Sequence, residues 1–160
     1  MNDGLQVTFT LRLGDGTHIE EASFSAQAEA VASALASDIE PYGRLLVRGG
    51  AQPELRFPDD LLPMADSVVG VLPDLRAGHD VAIAAYSQPC ELRFTHANGR
   101  LCTSAGDSPG REDDAAALIA ALGACAARLV ALLQSGRLRR PEAASVLAKL
   151  AQVLHQRAGV

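Results

Sequence analysis

The sequence is poor in aromatic residues and in lysine. It contains no tryptophan, aromatic side chains make up 4% of its 160 residues, and Lys149 is the only lysine. Leucine, valine and alanine must therefore form most of the hydrophobic core, since hydrophobic residues still make up 48% of the chain. A chain of this length can bury one sizeable core and is short for two. We predict a single domain over residues 1–160.

Cysteines are too few and too widely spaced for a disulfide framework or a zinc site. Cys90, Cys102 and Cys125 form no CxxC pair and have no histidine at ligand spacing. The N-terminus has Asp3 where a signal peptide would carry positive charge. No apolar run approaches the roughly 20 residues needed to cross a bilayer. We therefore expect a cytoplasmic protein with no metal, no cofactor and no membrane partner.

Charge is distributed unevenly along the chain, whose net charge is −5. The segment from Arg137 onward carries five basic residues against Glu142 alone, a net charge of +4, so residues 1–136 carry −9. Nucleic-acid binding requires lysine and arginine to neutralise phosphates, which argues against a nucleic-acid partner. Two interpretations of the acidity stay open, a basic protein partner and simple solubility.

Hydrophobic periodicity predicts alternating strands and helices. Period-2 patterns predict strands near residues 4–13, 17–22, 44–48, 80–87, 90–97 and 100–105, and helical spacing predicts helices near 26–38, 60–76, 114–135 and 141–157. A three-residue loop after the first strand would pair Leu11 with Ile19 and keep apolar residues on one face, with Gly16 at positive φ. Because an interior proline costs about 3 kcal/mol, Pro73 should kink or stop the second helix near Leu72.

Asn98-Gly99 is the strongest hairpin signal in the chain. The register that it sets places His96 opposite Leu101 on the inner face and Cys102 opposite Thr95 on the outward face. Residues 107–114 are polar and resemble a loop. We predict an α+β fold, a mostly antiparallel sheet with helices on one face and a C-terminal antiparallel helical hairpin. The sheet-rich part would span 1–106 with two helices, and the hairpin 112–158.

Acidic residues before two predicted helices are the candidate partner-binding residues. These are Asp59, Asp60, Asp107, Glu112, Asp113 and Asp114. The segment from Asp107 resembles a calcium loop superficially, but Pro109 and Arg111 break the ligand alternation. Capping of a helix N-terminus explains the same acids, so both interpretations stay open.

No residue carries a catalytic signature. Cys125 lies on an apolar helical stripe and is expected in the core. Cys102, near Arg93 on the outward face, is the more exposed thiol, but a nucleophile also needs an oriented base. The four histidines show no HxH or HExxH spacing. We predict no catalytic residues.

Motifs over about residues 44–106 resemble one group of bacterial proteins. They comprise Arg44–Val47 followed by Gln52–Leu55, a helix from Leu61, the segment Gly78–Val81 and the Asn98-Gly99 hairpin. This series is similar to that of immunity proteins, which are encoded beside polymorphic toxins of contact-dependent or type VI secretion systems. The resemblance implies that the chain is an antitoxin that binds and occludes a cognate toxin, without chemistry of its own.

Two alternative functions stay open. A secretion chaperone is also small, acidic, α+β and usually dimeric, and it holds an unfolded effector, although such chaperones commonly open with a helix where this chain opens with a strand. The other alternative is a cysteine- or histidine-dependent enzyme that uses Cys102 or His96. The chain could be a monomer or a homodimer.

Overall fold

The first half of the chain forms a four-stranded antiparallel sheet. A computed structural model describes residues 4–37, 39–136 and 141–158. Its first sheet has the order β2-β1-β3-β4. The strands are β1 (Gln6–Arg12), β2 (His18–Glu20), β3 (Tyr42–Arg48) and β4 (Leu55–Asp60). Two 3₁₀ turns, Glu21–Ser23 and Ser25–Gln27, and helix α1 (Ala28–Ala36) connect β2 to β3.

The second half forms another four-stranded antiparallel sheet and a pair of helices. After α2 (Leu61–Arg76) come β5 (Val81–Ala84), β6 (Glu91–Ala97), β7 (Arg100–Ala105) and β8 (Arg111–Asp114), which pair in chain order. Helices α3 (Ala115–Ser135) and α4 (Pro141–Ala158) follow and pack on each other. The predicted α+β class and the C-terminal helical pair are confirmed, with two sheets in place of one.

Both predicted hairpin registers are confirmed. Leu11 pairs with Ile19 across a three-residue loop in which Gly16 has φ +88°. Asn98 (φ +51°) and Gly99 (φ +75°) form the β6–β7 turn, and Cys102 lies opposite Thr95. A turn with two successive positive φ values matches the right-handed twist of the strands, which explains the strength of the Asn-Gly signal.

One cluster of buried side chains joins both sheets and all four helices. Leu118, Leu122 and Leu129 of α3 and Leu150 of α4 belong to it, as does Cys125, so their predicted burial is confirmed. Truncating any of these leucines to alanine would remove packed methyl groups from the centre of the molecule.

Helix α3 is apolar on nearly every side. Alone among the described helices, it is long and apolar enough to cross a bilayer by length and composition, with a mean hydropathy of 2.2. The expectation that no such run exists is therefore wrong, because most positions between the large apolar residues are alanine, which is also apolar. The core helix of a soluble protein passes the same test. Eight α3 side chains are buried, and Arg128 donates hydrogen bonds to Glu21 and to the Val7 carbonyl.

Helix α2 continues through Pro73 to Arg76, which confirms the predicted helix near 60–76, and of the two predicted effects of Pro73 the stop near Leu72 does not occur. Leu72 and Leu75, on either side of the proline, are both buried. Their packing offsets the backbone hydrogen bond that proline cannot donate. The carbonyl of Pro73 accepts from Ala77 N at 3.0 Å, which closes the helix.

Strand β4 was not predicted. Leu55 and Phe57 point into the core and alternate with Arg56 and Pro58, but a proline within such a pattern argues against a central strand. The strand tolerates Pro58 because it lies at the edge of its sheet, where a missing N–H interrupts no ladder.

Strand β8 lies in the segment that was predicted to be a loop. It pairs with β7, with Glu112 opposite Cys102. Arg111 and Asp113 point inward and are buried, whereas Glu112 and Asp114 point outward. Hydrophobic periodicity could not find this strand, because its inward positions carry charge. The sheet-rich part therefore extends to residue 114.

The buried Arg111 guanidinium joins the two sheets. Its Nε and Nη2 donate to the two carboxylate oxygens of Asp113 at 2.7 and 2.8 Å. Its Nη1 donates to the carbonyls of Val47 (2.9 Å) and Pro53 (3.1 Å), and Nη2 also donates to that of Gly49 (3.1 Å). These carbonyls belong to β3 and its connection to β4. We call Arg111 and Asp113 with these three carbonyls the arginine clamp.

Arg111→Met should lower the free energy of unfolding by roughly 3–5 kcal/mol, because it leaves a buried carboxylate without a cation. Arg111→Met combined with Asp113→Leu should cost less than the single change, since no buried charge is left behind. Urea denaturation followed by circular dichroism measures both values.

Arg93→Met provides the control for that series. Arg93 forms an exposed ion pair with Glu91, so its loss should change stability by no more than about 1 kcal/mol. If Arg111→Met cost no more than Arg93→Met, the clamp would not hold the sheets together.

Candidate functional site

The six candidate acidic residues do not form one cluster. Asp59 and Asp60 end β4 in the first sheet, whereas Asp107 lies in the β7–β8 connection and the other three lie on β8. They also differ in exposure, which divides them into structural and accessible residues.

Asp59 is buried and has a structural role. Its carboxylate accepts from the backbone N–H groups of Tyr86 (3.0 Å) and Ser87 (3.1 Å) and from the Ser87 hydroxyl (3.1 Å). Asp60 N also donates to it at 2.8 Å. These bonds turn the chain after β5, which ends that strand at Ala84. The interpretation of Asp59 as a partner-binding residue is therefore corrected.

Asp60 is half-buried at the N-cap position of α2, where its side chain makes no capping hydrogen bond. Burial raises its pKa, and the nearby charges of Asp59 and Glu40 raise it further, while Arg12 opposes them. Asp60 belongs to the first sheet, so it is not part of the group of acids on β8.

Asp113 is also corrected, because it is buried and both of its carboxylate oxygens accept from Arg111. Its neighbours on β8 are exposed. Asp114 caps α3 by accepting from Ala117 N at 2.9 Å, which confirms the predicted capping role. Glu112 accepts from the Arg100 Nε at 3.2 Å, with both side chains about half exposed.

Two of the accessible acids, Glu112 and Asp114, lie on β8 at one edge of the second sheet, and the third, Asp107, lies beyond the end of β7. We define the acidic edge as Asp107, Glu112 and Asp114, all of which are exposed. The backbone N–H of Glu112 donates to Gln52 Oε1 at 3.4 Å. Beside Glu112 is an open depression of about 370 Å³, which Gln52 and Cys102 also line. Glu112 and Asp114 are therefore solvent-facing carboxylates on a fixed edge strand, and Glu112 lies beside a shallow recess.

Cys102 and His96 lie on opposite faces of the β6–β7 hairpin. Cys102 is exposed between Thr95 and Glu112, whereas His96 pairs with Leu101 on the inner face. The two side chains therefore cannot form a cysteine–histidine pair with each other. Arg93 pairs with Glu91 at 2.5 Å. Within the described residues, no group of three or more His, Cys, Asp or Glu side chains could hold a metal ion.

A second polar cluster on the first sheet was missed by the sequence reasoning. Thr10 Oγ1 accepts from Arg44 N at 3.0 Å, so its own proton is available to His18 Nδ1, also 3.0 Å away. Burial, followed by the charges of Arg44 and Arg12, lowers the pKa of His18 and favours its neutral form. Arg12 also lies 4.4 Å from the centre of the Tyr42 ring. The residues of this cluster come from three strands, β1, β2 and β3, so no local sequence motif could reveal the cluster.

This cluster borders an open cleft of about 520 Å³ between the β1–β2 loop and α1. The Tyr42 hydroxyl accepts from Gln88 Nε2 at 2.7 Å, and Gln88 also donates to the Pro58 carbonyl. These bonds attach the β5–β6 connection to the first sheet. We therefore interpret the cluster as packing that joins the two halves.

Comparison with known proteins finds no matching family model, no matching curated protein and no matching solved structure. The resemblance to immunity proteins accordingly stays a prediction.

The three thiols should differ in reactivity. Burial raises the pKa of Cys125 to about 12, so at pH 8 only about one molecule in 10,000 carries its thiolate. An aromatic disulfide reagent at pH 8 should modify exposed Cys102 first, half-buried Cys90 more slowly, and Cys125 only after unfolding.

Cys102→Ser should remove the fast phase of thiol modification and leave the two slower phases unchanged.

Because the folded pKa of Cys125 lies above its ordinary value near 9, its contribution to the free energy of unfolding is complete below pH 9 and falls as the pH rises towards 12. Rapid modification of Cys125 in folded protein would contradict its assigned place in the core.

Proposed function

We propose that this chain is a protein-binding domain of the immunity type, which neutralises a basic protein toxin by covering its active site. One observation carries the proposal. On β8, Glu112 and Asp114 point to solvent while Arg111 and Asp113 hold the same strand from inside. Asp107 extends the acidic edge beyond the strand.

A fixed strand is a favourable position for such carboxylates. Ordering a flexible loop at an interface costs binding free energy, whereas a strand already held by the arginine clamp has little backbone freedom left to lose. Toxins that act on nucleic acids need positive clefts to hold phosphate. Carboxylates at fixed spacing complement such a cleft and accelerate association.

The Arg100–Glu112 pair does not prevent this role. Both side chains are about half exposed, and exposed ion pairs are worth about 0–1 kcal/mol. An arginine or lysine of a partner can therefore replace Arg100 at Glu112 for a small cost. Asp107 has no hydrogen bond or ion pair to its side chain among the described residues.

The test removes the charges of the acidic edge while keeping the fold. The variant Asp107→Asn, Glu112→Gln, Asp114→Asn retains side-chain size, and asparagine is as good an N-cap as aspartate. Against the protein encoded by the neighbouring gene, its affinity should fall at least about tenfold, mainly through slower association. Stopped-flow binding at about 0.05 and 0.3 M salt should show a weaker salt dependence than in the parent.

A matched control removes three charges elsewhere. Glu29→Gln, Asp66→Asn and Asp74→Asn alter exposed acids on α1 and α2 and should leave the affinity near that of the parent. Equal affinity and salt dependence in both variants would refute the acidic edge as the binding surface. Binding of an extended effector segment in place of a folded toxin would instead favour the secretion chaperone.

A further inference from the structure

The two sheets have four edge strands in the described part of the chain, and three of them carry features that oppose pairing with another strand. An unpaired edge exposes N–H and C=O groups, and natural edges are protected by charge, proline or short length. β2 has three residues and includes Glu20. Leu61 N donates to Pro41 O, so in the β3–β4 register the odd-numbered residues of β4 form the hydrogen-bonded pairs with β3. The backbone of the even-numbered Pro58 therefore faces away from β3, and proline has no N–H to offer at this edge.

The third protected edge is β8. Ala115 N donates to Gly99 O, which continues the β7–β8 register. Hydrogen-bonded pairs alternate along an antiparallel ladder, so the N–H and C=O groups of Glu112 and Asp114 point away from β7. The Glu112 N–H donates to Gln52 Oε1, and the side chains of Glu112 and Asp114 are both acidic. A second strand would meet negative charge and an occupied donor at this edge.

Strand β5 is as short as β8, but it has neither charge nor proline. Ala85 N donates to Cys90 O at 2.8 Å, in the register that pairs Ala84 with Glu91. Hydrogen-bonded pairs alternate along an antiparallel ladder, so the backbone groups of Ala82 and Ala84 point away from β6. Neither makes an outward hydrogen bond within the described residues, and both are exposed. The sequence Val81–Ala84 contains no charge and no proline.

We propose that β5 pairs antiparallel with β5 of a second copy of this chain. The N–H and C=O groups of Ala82 and Ala84 that point away from β6 fix the register. A two-fold axis at Ile83 places Ala82 opposite the partner's Ala84. Each such pair can exchange two N–H···O=C bonds. No like charges meet in this register, which is the arrangement that cross-strand pairing requires.

The residues beyond the strand favour a second copy over an unrelated segment. In this arrangement the end of β5 that leads to Tyr86, which is 78% exposed, lies beside the end of the partner's β5 that follows Asp80. Asp80 uses Oδ1 to accept from His96 N at 2.8 Å, and its Oδ2 has no partner among the described residues. A tyrosine hydroxyl that donates to this carboxylate would form a charge-assisted bond at each end of the pairing, by symmetry.

The dimer should be weak, because a strand of four residues buries less area than stable interfaces need. It would join the second sheets into one continuous sheet of eight strands. Since β5 and β8 are opposite edges of that sheet, the acidic edges stay free at its two ends. The inference does not rest on the proposed function.

Charge placed on the edge tests the pairing. Ala82→Lys with Ala84→Lys, and Ala82→Glu with Ala84→Glu, each put like charges opposite each other in the dimer. In sedimentation equilibrium the parent should dimerise at high concentration, each variant should stay monomeric, and an equimolar mixture of the two should dimerise again. Recovery in the mixture shows that both variants are folded.

Ala97→Lys, on the exposed face of β6, is the control and should dimerise like the parent. Amide exchange of Ala82 and Ala84 should also slow as the parent concentration rises. A parent that stays monomeric at millimolar concentration, or dimerises equally well with lysines at 82 and 84, would overturn the proposal. So would a parent that is monomeric and uses this edge only to bind another protein.

Discussion

The buried ion pair of Arg111 and Asp113 is the constraint on which the second half of the structure depends. Burying two charges costs several kcal/mol each unless geometry and further hydrogen bonds compensate. Here every N–H of the guanidinium has an acceptor, two on Asp113 and three on backbone carbonyls. Because β8 has no hydrophobic inward residue, this pair takes the place that leucine or valine takes in the other strands.

The same alternation links the fold to the proposed function. Successive residues of a strand point to opposite faces, so inward charges at 111 and 113 place the outward charges at 112 and 114. The clamp fixes their backbone, and Asp114 in addition caps α3. The buried Asp113 thus lies between two accessible acids, Glu112 and Asp114, which is why a charge count could not separate them.

Local chemistry was predictable from sequence, and long-range chemistry was not. The Asn98-Gly99 register, the Leu11–Ile19 pairing and the α3 core face depend on residues close in the chain. The burial of Asp59 depends on the N–H groups of Tyr86 and Ser87, which lie 27 and 28 residues away in the chain. The burial of Asp113 depends on Arg111, whose guanidinium also donates to the Val47 carbonyl 64 residues away.

The structure around the acidic edge could be predicted only in part for the same reason. Four of the six candidate acids lie in residues 107–114, which were expected to form a flexible loop because the segment is polar. Its identity as a strand, and the separation of Glu112 and Asp114 from Asp113, required the partner carbonyls on β3 and its connection to β4.

Hydrogen exchange of this chain, alone and saturated with the protein encoded by the neighbouring gene, tests the central claim most directly. The account predicts that binding slows exchange at residues 107–114 and at Gln52, with little change on α2 and α4. Protection confined to other surfaces, with residues 107–114 unchanged, would contradict it.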